Sequence, residues 1–287
     1  MKRQFKIELK KALFSPYFFL AIGILSIFAV LSAVYILVRN GGYNEAILND
    51  ANFSQNPDLP LFSFYSSWIG SERMSLTYTL FYNLLPIGAA LPFAWSFCSE
   101  RKSGYIKNIV TRDKKKYYYL SKSSAIFISG MLAVLIPLLI NILLVSSKMP
   151  LHKPFVGYNF YTGVNFHDLF ADIYFSHPSL YVLLFVALTS IYGGVFALFG
   201  AALSFYISNT FTAVLLPFVI MLAAAYTEHM LQINNQANVV EYIPTQFLHA
   251  STLYGGSRAS VVILVTAILM LFSILTIYIK GVRNEVF

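Results

Sequence analysis

An all-α polytopic membrane protein with six transmembrane helices is the fold class this sequence predicts, and three observations predict it. Hydrophobic residues make up 57% of the 287 positions and charged residues 11%, where a soluble protein carries roughly 25% charged residues. Six apolar windows each approach the length of about 20 residues that crosses about 30 Å of hydrocarbon at 1.5 Å per residue. The basic residues gather at the ends of those windows instead of spreading over a face. Backbone polar groups in lipid must be satisfied within the segment, so the windows are helices and not open strands. The whole chain, 1–287, reads as a single transmembrane domain.

The first element is "MKRQFKIELKKALFSP", a cytoplasmic amphipathic helix over 1–16. Phe5, Leu9 and Leu13 recur four apart, leaving Lys2, Arg3, Lys6, Lys10 and Lys11 available to lipid phosphates at the membrane surface. Ser15-Pro16 ends that pattern. The windows follow at 17–38, 76–98, 123–146, 181–207, 211–230 and 259–279. The first is too long for the apolar core of a signal peptide, and no small-residue cleavage site precedes Arg39, so it is expected to be retained. Pro86 and Pro92 in the second window, Pro137 in the third and Pro217 in the fifth predict kinks or plain packing features. Gly193, Ala197 and Ala201, with Gly200 and Ser204 offset, give the fourth window a small-residue stripe that permits close helix contact.

Orientation follows from Lys and Arg counts. With the N-terminus inside, segments 1–16, 99–122 and 280–287 hold five, eight and two basic residues, fifteen in all. The outer segments 39–75, 147–180 and 231–258 hold only Arg39, Arg73, Lys148, Lys153 and Arg258. Both termini are therefore expected in the cytoplasm of a cell whose plasma membrane the chain crosses several times. The formal charge of +8 follows the same topology and lacks the distribution of a nucleic-acid face. No nucleic-acid partner is expected.

Several chemistries are missing. The single cysteine, Cys98, excludes an internal disulfide framework and a cysteine zinc cluster, and it reads as a small apolar residue. The window interiors hold no Asp, Glu, Lys, Arg or His apart from Glu228 and His229 at an outer end, which argues against an ion-coupled carrier. There is no H-E-x-x-H and no glycine-framed nucleophile elbow. In "NFHDLFADIYFSH", His167, Asp168, Asp172 and His177 offer a conceivable metal site, with the two aspartates one helical turn apart, but a solvated polar face is the plainer reading. No G-x-x-x-x-G-K-[ST] loop occurs, so the chain is not expected to be an enzyme by itself or to bind a cofactor.

The most informative stretch is "FCSERKSGYIKNIVTRDKKKYYYLSK", residues 97–122, with eight basic residues against two acids. Within it Tyr105 and Ile109, and Ile106 and Val110, form i,i+4 pairs on a short helix started by Ser103 or Gly104. The residues leave three readings open. The helix lies on anionic lipid, or it only obeys the positive-inside rule, or its apolar face fits a groove on a soluble partner.

Glu100 and Gly104 form E-x-x-x-G directly after the second window; an apolar patch, Thr111-Arg112 and then Lys122 follow. That order resembles the first cytoplasmic loop of type-2 ABC exporter permeases. The segment "NNQANVVEYIPTQFLHASTLYGG", with Pro244 at its centre, resembles the re-entrant helical hairpin before that family's last span, and residues 1–16 resemble its interfacial helix. The resemblance implies that 99–122 carries a coupling helix seated in a cleft of a cytosolic ABC ATP-binding subunit. Glu100, Gly104 and Arg112 would hold that loop, and Tyr105, Ile106, Ile109 and Val110 would be buried by the partner. It further implies a second permease copy or related permease, and ATP and magnesium on the partner ATPase. The function implied is the permease subunit of an ATP-driven exporter of an amphiphile, with a hydrophobic or antimicrobial-type peptide preferred to a lipid or drug. An ion-coupled transporter and a membrane sensor or anchor are the alternatives. The long outer loops at 39–75 and 147–180 depart from many members of that family.

Overall fold

The computed structural model describes residues 2–50, 61–72, 75–106, 114–154, 163–165, 168–234, 240–250 and 256–283. Among them every regular element is a helix, and the only β-type pairing is one bridge between Val240 and Gly256. Five helices are long and apolar enough to cross a membrane: Pro16–Asn49, Lys115–Ser146, Pro178–Leu203, Thr210–Leu231 and Ala259–Arg283.

Helix α1 (Lys2–Leu13) packs along a long later helix, α7 (Lys115–Ser146). Its buried stripe is Glu8 and Ala12, flanked by half-buried Leu9 and Leu13, while Lys2, Arg3, Lys6 and Lys10 face outward. Ser15 starts the next helix, α2 (Pro16–Ile36): its hydroxyl accepts the amide of Phe18 at 3.1 Å, and Pro16 takes the first helical position. Serine as cap and proline at N1 are the residues a helix start favours.

The rod does not stop at residue 38. A π-helical turn (Leu37–Gly41) carries it into α3 (Gly42–Asn49), so the first third of the expected loop 39–75 is helix. The reason is tertiary. The side-chain amide of Asn40 donates to Ser67 at 3.2 Å, and Asn44 both donates to and accepts from the backbone of Phe62 at 2.9 Å. Polar residues that read as loop are thus satisfied by residues 62–67, which include the short helix α4 (Phe64–Ser67).

The second window differs most from expectation. It forms α5 (Leu76–Ala90), a turn over 91–95 and α6 (Ser96–Lys102), in place of one continuous helix. At 1.5 Å per residue α5 is about 22 Å long, short of the hydrocarbon core. Pro92 sits in the break, where its missing amide removes a helical bond; Pro86, Pro137 and Pro217 lie inside continuous helices.

Beyond α7 come α8 (Ala171–Ser176), α9 (Pro178–Leu203), α10 (Thr210–Asn234), α11 (Pro244–Phe247) and α12 (Ala259–Thr276), which ends in a π segment (Ile277–Arg283). Helix α9 is the most buried of the long helices and packs on α5, α7, α10 and α12. Its small-residue stripe meets a matching glycine on α7. A Cβ on Gly193 would stand 2.8 Å from the carbonyl oxygen of Gly130, and one on Gly130 2.7 Å from that of Gly193. Only glycine at both positions lets the backbones approach so closely. The outward faces carry large apolar side chains, Phe19, Ile27 and Leu31 on α2 and Ile263, Ile268 and Leu271 on α12 among them, a surface suited to lipid and not to water.

Candidate functional site

Two polar clusters mark opposite ends of α9. The first, at the end that carries α1 and the basic loop, is built around α6. Glu100 lies in the last turn of this helix, next to Arg101, and the two side chains reach different neighbours.

Glu100 forms an ion pair with Lys122 and accepts the hydroxyl of Tyr118, both on α7. Lys122 was expected at the mouth of the third window. Because α7 begins at Lys115, Lys122 is instead two turns inside a helix and fully buried. Its ammonium donates to the Tyr118 hydroxyl at 3.3 Å and lies 5.0 to 5.5 Å from the ring centres of Phe97, Phe93 and Tyr118. A buried ammonium is tolerable only with such a carboxylate and such ring faces around it. Helix α1 joins the same carboxylate through Lys11, whose ammonium is 3.8 Å from Glu100, 2.9 Å from Glu8 and 2.9 Å from the hydroxyl of Tyr105. Partial burial works against the Lys11 charge, but the bonds to Tyr105 and Glu8 and the two carboxylates outweigh it and raise its pKa. Lys11 therefore stays charged at every physiological pH.

Arg101 turns the other way. Its guanidinium donates to the carbonyls of Phe205 at 3.0 Å and of Ser204 and Ile207 at 3.2 Å, and the buried Cys98 thiol donates to that of Ser208 at 3.1 Å. These carbonyls follow the C-terminal end of α9 and lead into α10. A cation at a helix C-terminus meets both the orphan carbonyls and the negative end of the macrodipole. Through two adjacent residues α6 is tied to α1, α7 and the turn that follows α9.

The motif glycine has a conformational reason. Gly104 adopts φ +69°, directly after the cap residue Ser103, so it ends α6 in the left-handed conformation that glycine accepts without a Cβ penalty. Helical backbone resumes at 105–106. Tyr105 is half-buried, under the Lys11 ammonium at 4.5 Å. Ile106 is 2% exposed, inside this chain's own core with Ala12, Phe97 and Tyr118, so in this conformation it leaves no surface for a partner. Ile109, Val110 and Arg112 lie outside the described residues. Of the five basic residues expected at the membrane surface, Lys11, still exposed, is the one engaged with Glu8, Glu100 and Tyr105.

Sequence reasoning singled out Glu100, Gly104 and Tyr105, and named Lys122 only as the end of the motif; around them the structure also gathers Arg101, Tyr118 and Glu8. The buried stripe of α7, traced back from Ala133 through Ser129 and Ile126 in steps of three or four, arrives at Lys122 and Tyr118. That signal was present once the helix start was placed at Lys115. Nothing local marks Arg101, whose partners are more than 100 positions away.

The second cluster, at the far end, joins segment 61–72 to segment 244–250. Glu72 accepts from the hydroxyl of Ser32 at 2.9 Å and from the hydroxyl and amide of Ser75. The Tyr78 hydroxyl bonds His249 Nδ1, and the Tyr82 ring packs on the same imidazole with centroids 4.3 Å apart. The amide of Ala250 donates to the carbonyl of Gly70 at 3.0 Å. Pro244 is buried and opens α11; a hairpin around it would need 235–239 and 251–255, which lie outside the described residues. Among the described residues the conceivable metal site does not assemble. Phe170 at φ +61° breaks the helix before Ala171, so Asp168 and Asp172 share no helical face, and Asp168 accepts the amide of Asn165 at 2.7 Å. His167 lies outside the described residues, and among those described no three His, Cys, Asp or Glu side chains are placed to hold a metal ion.

Comparison with protein-family models, curated proteins and solved structures gave no match.

Proposed function

We propose that this chain is the membrane permease subunit of an ATP-driven exporter of the type-2 ABC kind, with the basic end in the cytoplasm. The observation that carries the reading is the junction at α6. Glu100 and Arg101 attach one short helix to α1, α7 and the α9–α10 turn, and Gly104 turns the chain from it straight into the segment that the family resemblance implies for a partner's cleft. A push on that segment reaches α7 through Lys122, α1 through Lys11 and the α9–α10 turn through Arg101, all by charged links in a poorly screened environment. The cytosolic ATP-binding subunit would hold ATP and magnesium, and a second permease copy would complete the pathway.

An apolar groove of about 430 Å³, lined by Tyr17, Ile87, Leu91, Trp95, Phe211 and Val214, runs beside the break between α5 and α6. Its lining supports an amphiphilic cargo, with a hydrophobic peptide as the preferred class. The test is transport in vesicles containing the complex purified from its native membrane. Uptake into inverted vesicles that needs hydrolysable ATP and a co-eluting ATPase supports the reading.

One observation favours the rival ion-coupled carrier: Lys122 is an ionisable group buried inside a long apolar helix, where such groups often serve transport. Uptake driven by an ion gradient without nucleotide would select that reading and remove ours.

A further inference from the structure

Helix irregularities recur at one level of the bundle. The α1–α2 corner at Ser15-Pro16 lies against the break between α5 and α6. There the Ser15 hydroxyl donates to the carbonyl of Pro92 at 3.3 Å, and the Tyr17 and Trp95 rings meet edge to face at 5.2 Å. Inside the break the amide of Ser96 reaches back only to Phe93, at 3.1 Å, and the Trp95 indole donates to the carbonyl of Leu91 at 3.2 Å. Side chains thus bond two carbonyls that a continuous helix would satisfy with its own amides.

Three more helices are weakened at the same level. Pro137 on α7 lacks the amide that would bond the carbonyl of Ala133. Ala133 clusters with Leu13, Phe18 and Leu91, which flank the corner and the break. On α10 the Pro217 ring packs at Gly200, beside Ala90 and Ala94. A Cβ on Gly200 would lie 3.1 Å from Pro217 Cγ and 3.4 Å from the Cβ of each alanine. Ile277, where α12 passes into its π segment, belongs to the cluster that also holds Ala90, Phe93 and Ala94. Prolines and π turns are where helices bend.

This level divides the molecule. On one side lies the basic end, where Lys11, Glu100, Arg101 and Lys122 join α1, α6, the first turns of α7 and the α9–α10 turn. On the other side lie the far-end cluster and the helices that carry it. We propose that the level is a hinge, about which the basic end swings as one body against the rest of the bundle. Ser15 and Tyr17 hold the two chain breaks side by side, so α1 and α6 turn about a common line. The device is read from the chain's own packing, and its test needs neither nucleotide nor partner.

The experiment places pairs of nitroxide labels on the full chain in lipid vesicles, in a Cys98→Ser background, and reads the distribution of distances. Leu76→Cys with Lys102→Cys spans the hinge, and Lys6→Cys with Lys102→Cys lies within the basic end; all three positions are exposed. A bend of about 20° at Pro92 moves Lys102, about 15 Å farther along, by about 5 Å. The spanning pair is expected to be broader than the inner pair by about that amount. Pro92→Ala and Pro217→Ala each restore a helical amide, and each is expected to narrow the spanning pair while leaving the inner pair unchanged. The two prolines lie on different helices, so one variant still tests the hinge if the other fails to fold. The proposal is overturned if the spanning pair is as narrow as the inner pair. It is equally overturned if a folded proline variant leaves the spanning pair as broad as before.

Discussion

The two ends of α9 are built from different bonds. At the basic end Glu8, Lys11, Glu100, Arg101 and Lys122 make charged links between α1, α6, α7 and the α9–α10 turn. At the far end Glu72 accepts from the hydroxyls of Ser32 and Ser75, and the bonds of His249, Asn141 and Tyr181 join hydroxyl, imidazole and amide groups. Charge-assisted bonds are roughly twice as strong as neutral ones and hold direction better. With five charged side chains among its links, the basic end is the more strongly joined of the two.

Substitutions can break that contrast, and the largest effect is expected at Lys122. Lys122→Ala removes the buried ammonium and leaves Glu100 only Tyr118 and the more distant Lys11, and losing one partner of a buried pair costs about 3–5 kcal/mol. Thermal unfolding of the purified chain should show that loss, whereas the joint change of Lys122→Met with Glu100→Leu should recover most of the stability while leaving coupling lost. Arg101→Ala comes next, at about 1.5–3 kcal/mol for hydrogen bonds made by a charged group; the same unfolding assay reads it, and Arg101→Lys should rescue only part because one ammonium does not span three carbonyls. Gly104→Ala places a Cβ in a left-handed turn at about 1–2 kcal/mol, seen as faster proteolysis at 103–106 with little change in global melting. The smallest effect is at the far end. Tyr78→Phe should cost about 0.5–1.5 kcal/mol and leave nucleotide-stimulated activity of the complex at the wild-type level. A far-end loss as large as that of Lys122→Ala would erase the contrast.

Much of the fold was legible because lipid imposes a length and a polarity that windows of sequence record directly. Five windows became long helices for that reason. What composition could not show was where tertiary bonds override it. Asn40 and Asn44 read as loop until Ser67 and Phe62 supply partners, and residues 63–72 read as solvated until α2, α5 and α7 close over them. The second window failed for a local reason, since apolar content alone does not reveal that Pro92 opens a turn between two short helices. At the site, Glu100 and Gly104 stood out through the family resemblance, and the φ of Gly104 gives the glycine a conformational reason. Lys122 was hidden by the assumption that a lysine next to an apolar window must mark its edge.

The central claim is that the segment beyond α6 takes its push from a nucleotide-binding partner. The most direct measurement is to purify the wild-type chain and Ile109→Asp from the native membrane, quantify the ATPase subunit that co-elutes with each, and check that both chains are equally abundant and equally stable. The account predicts a stoichiometric ATPase with the wild type and its loss with Ile109→Asp. An unchanged ATPase complement in the variant, or no ATPase with either chain, would contradict it.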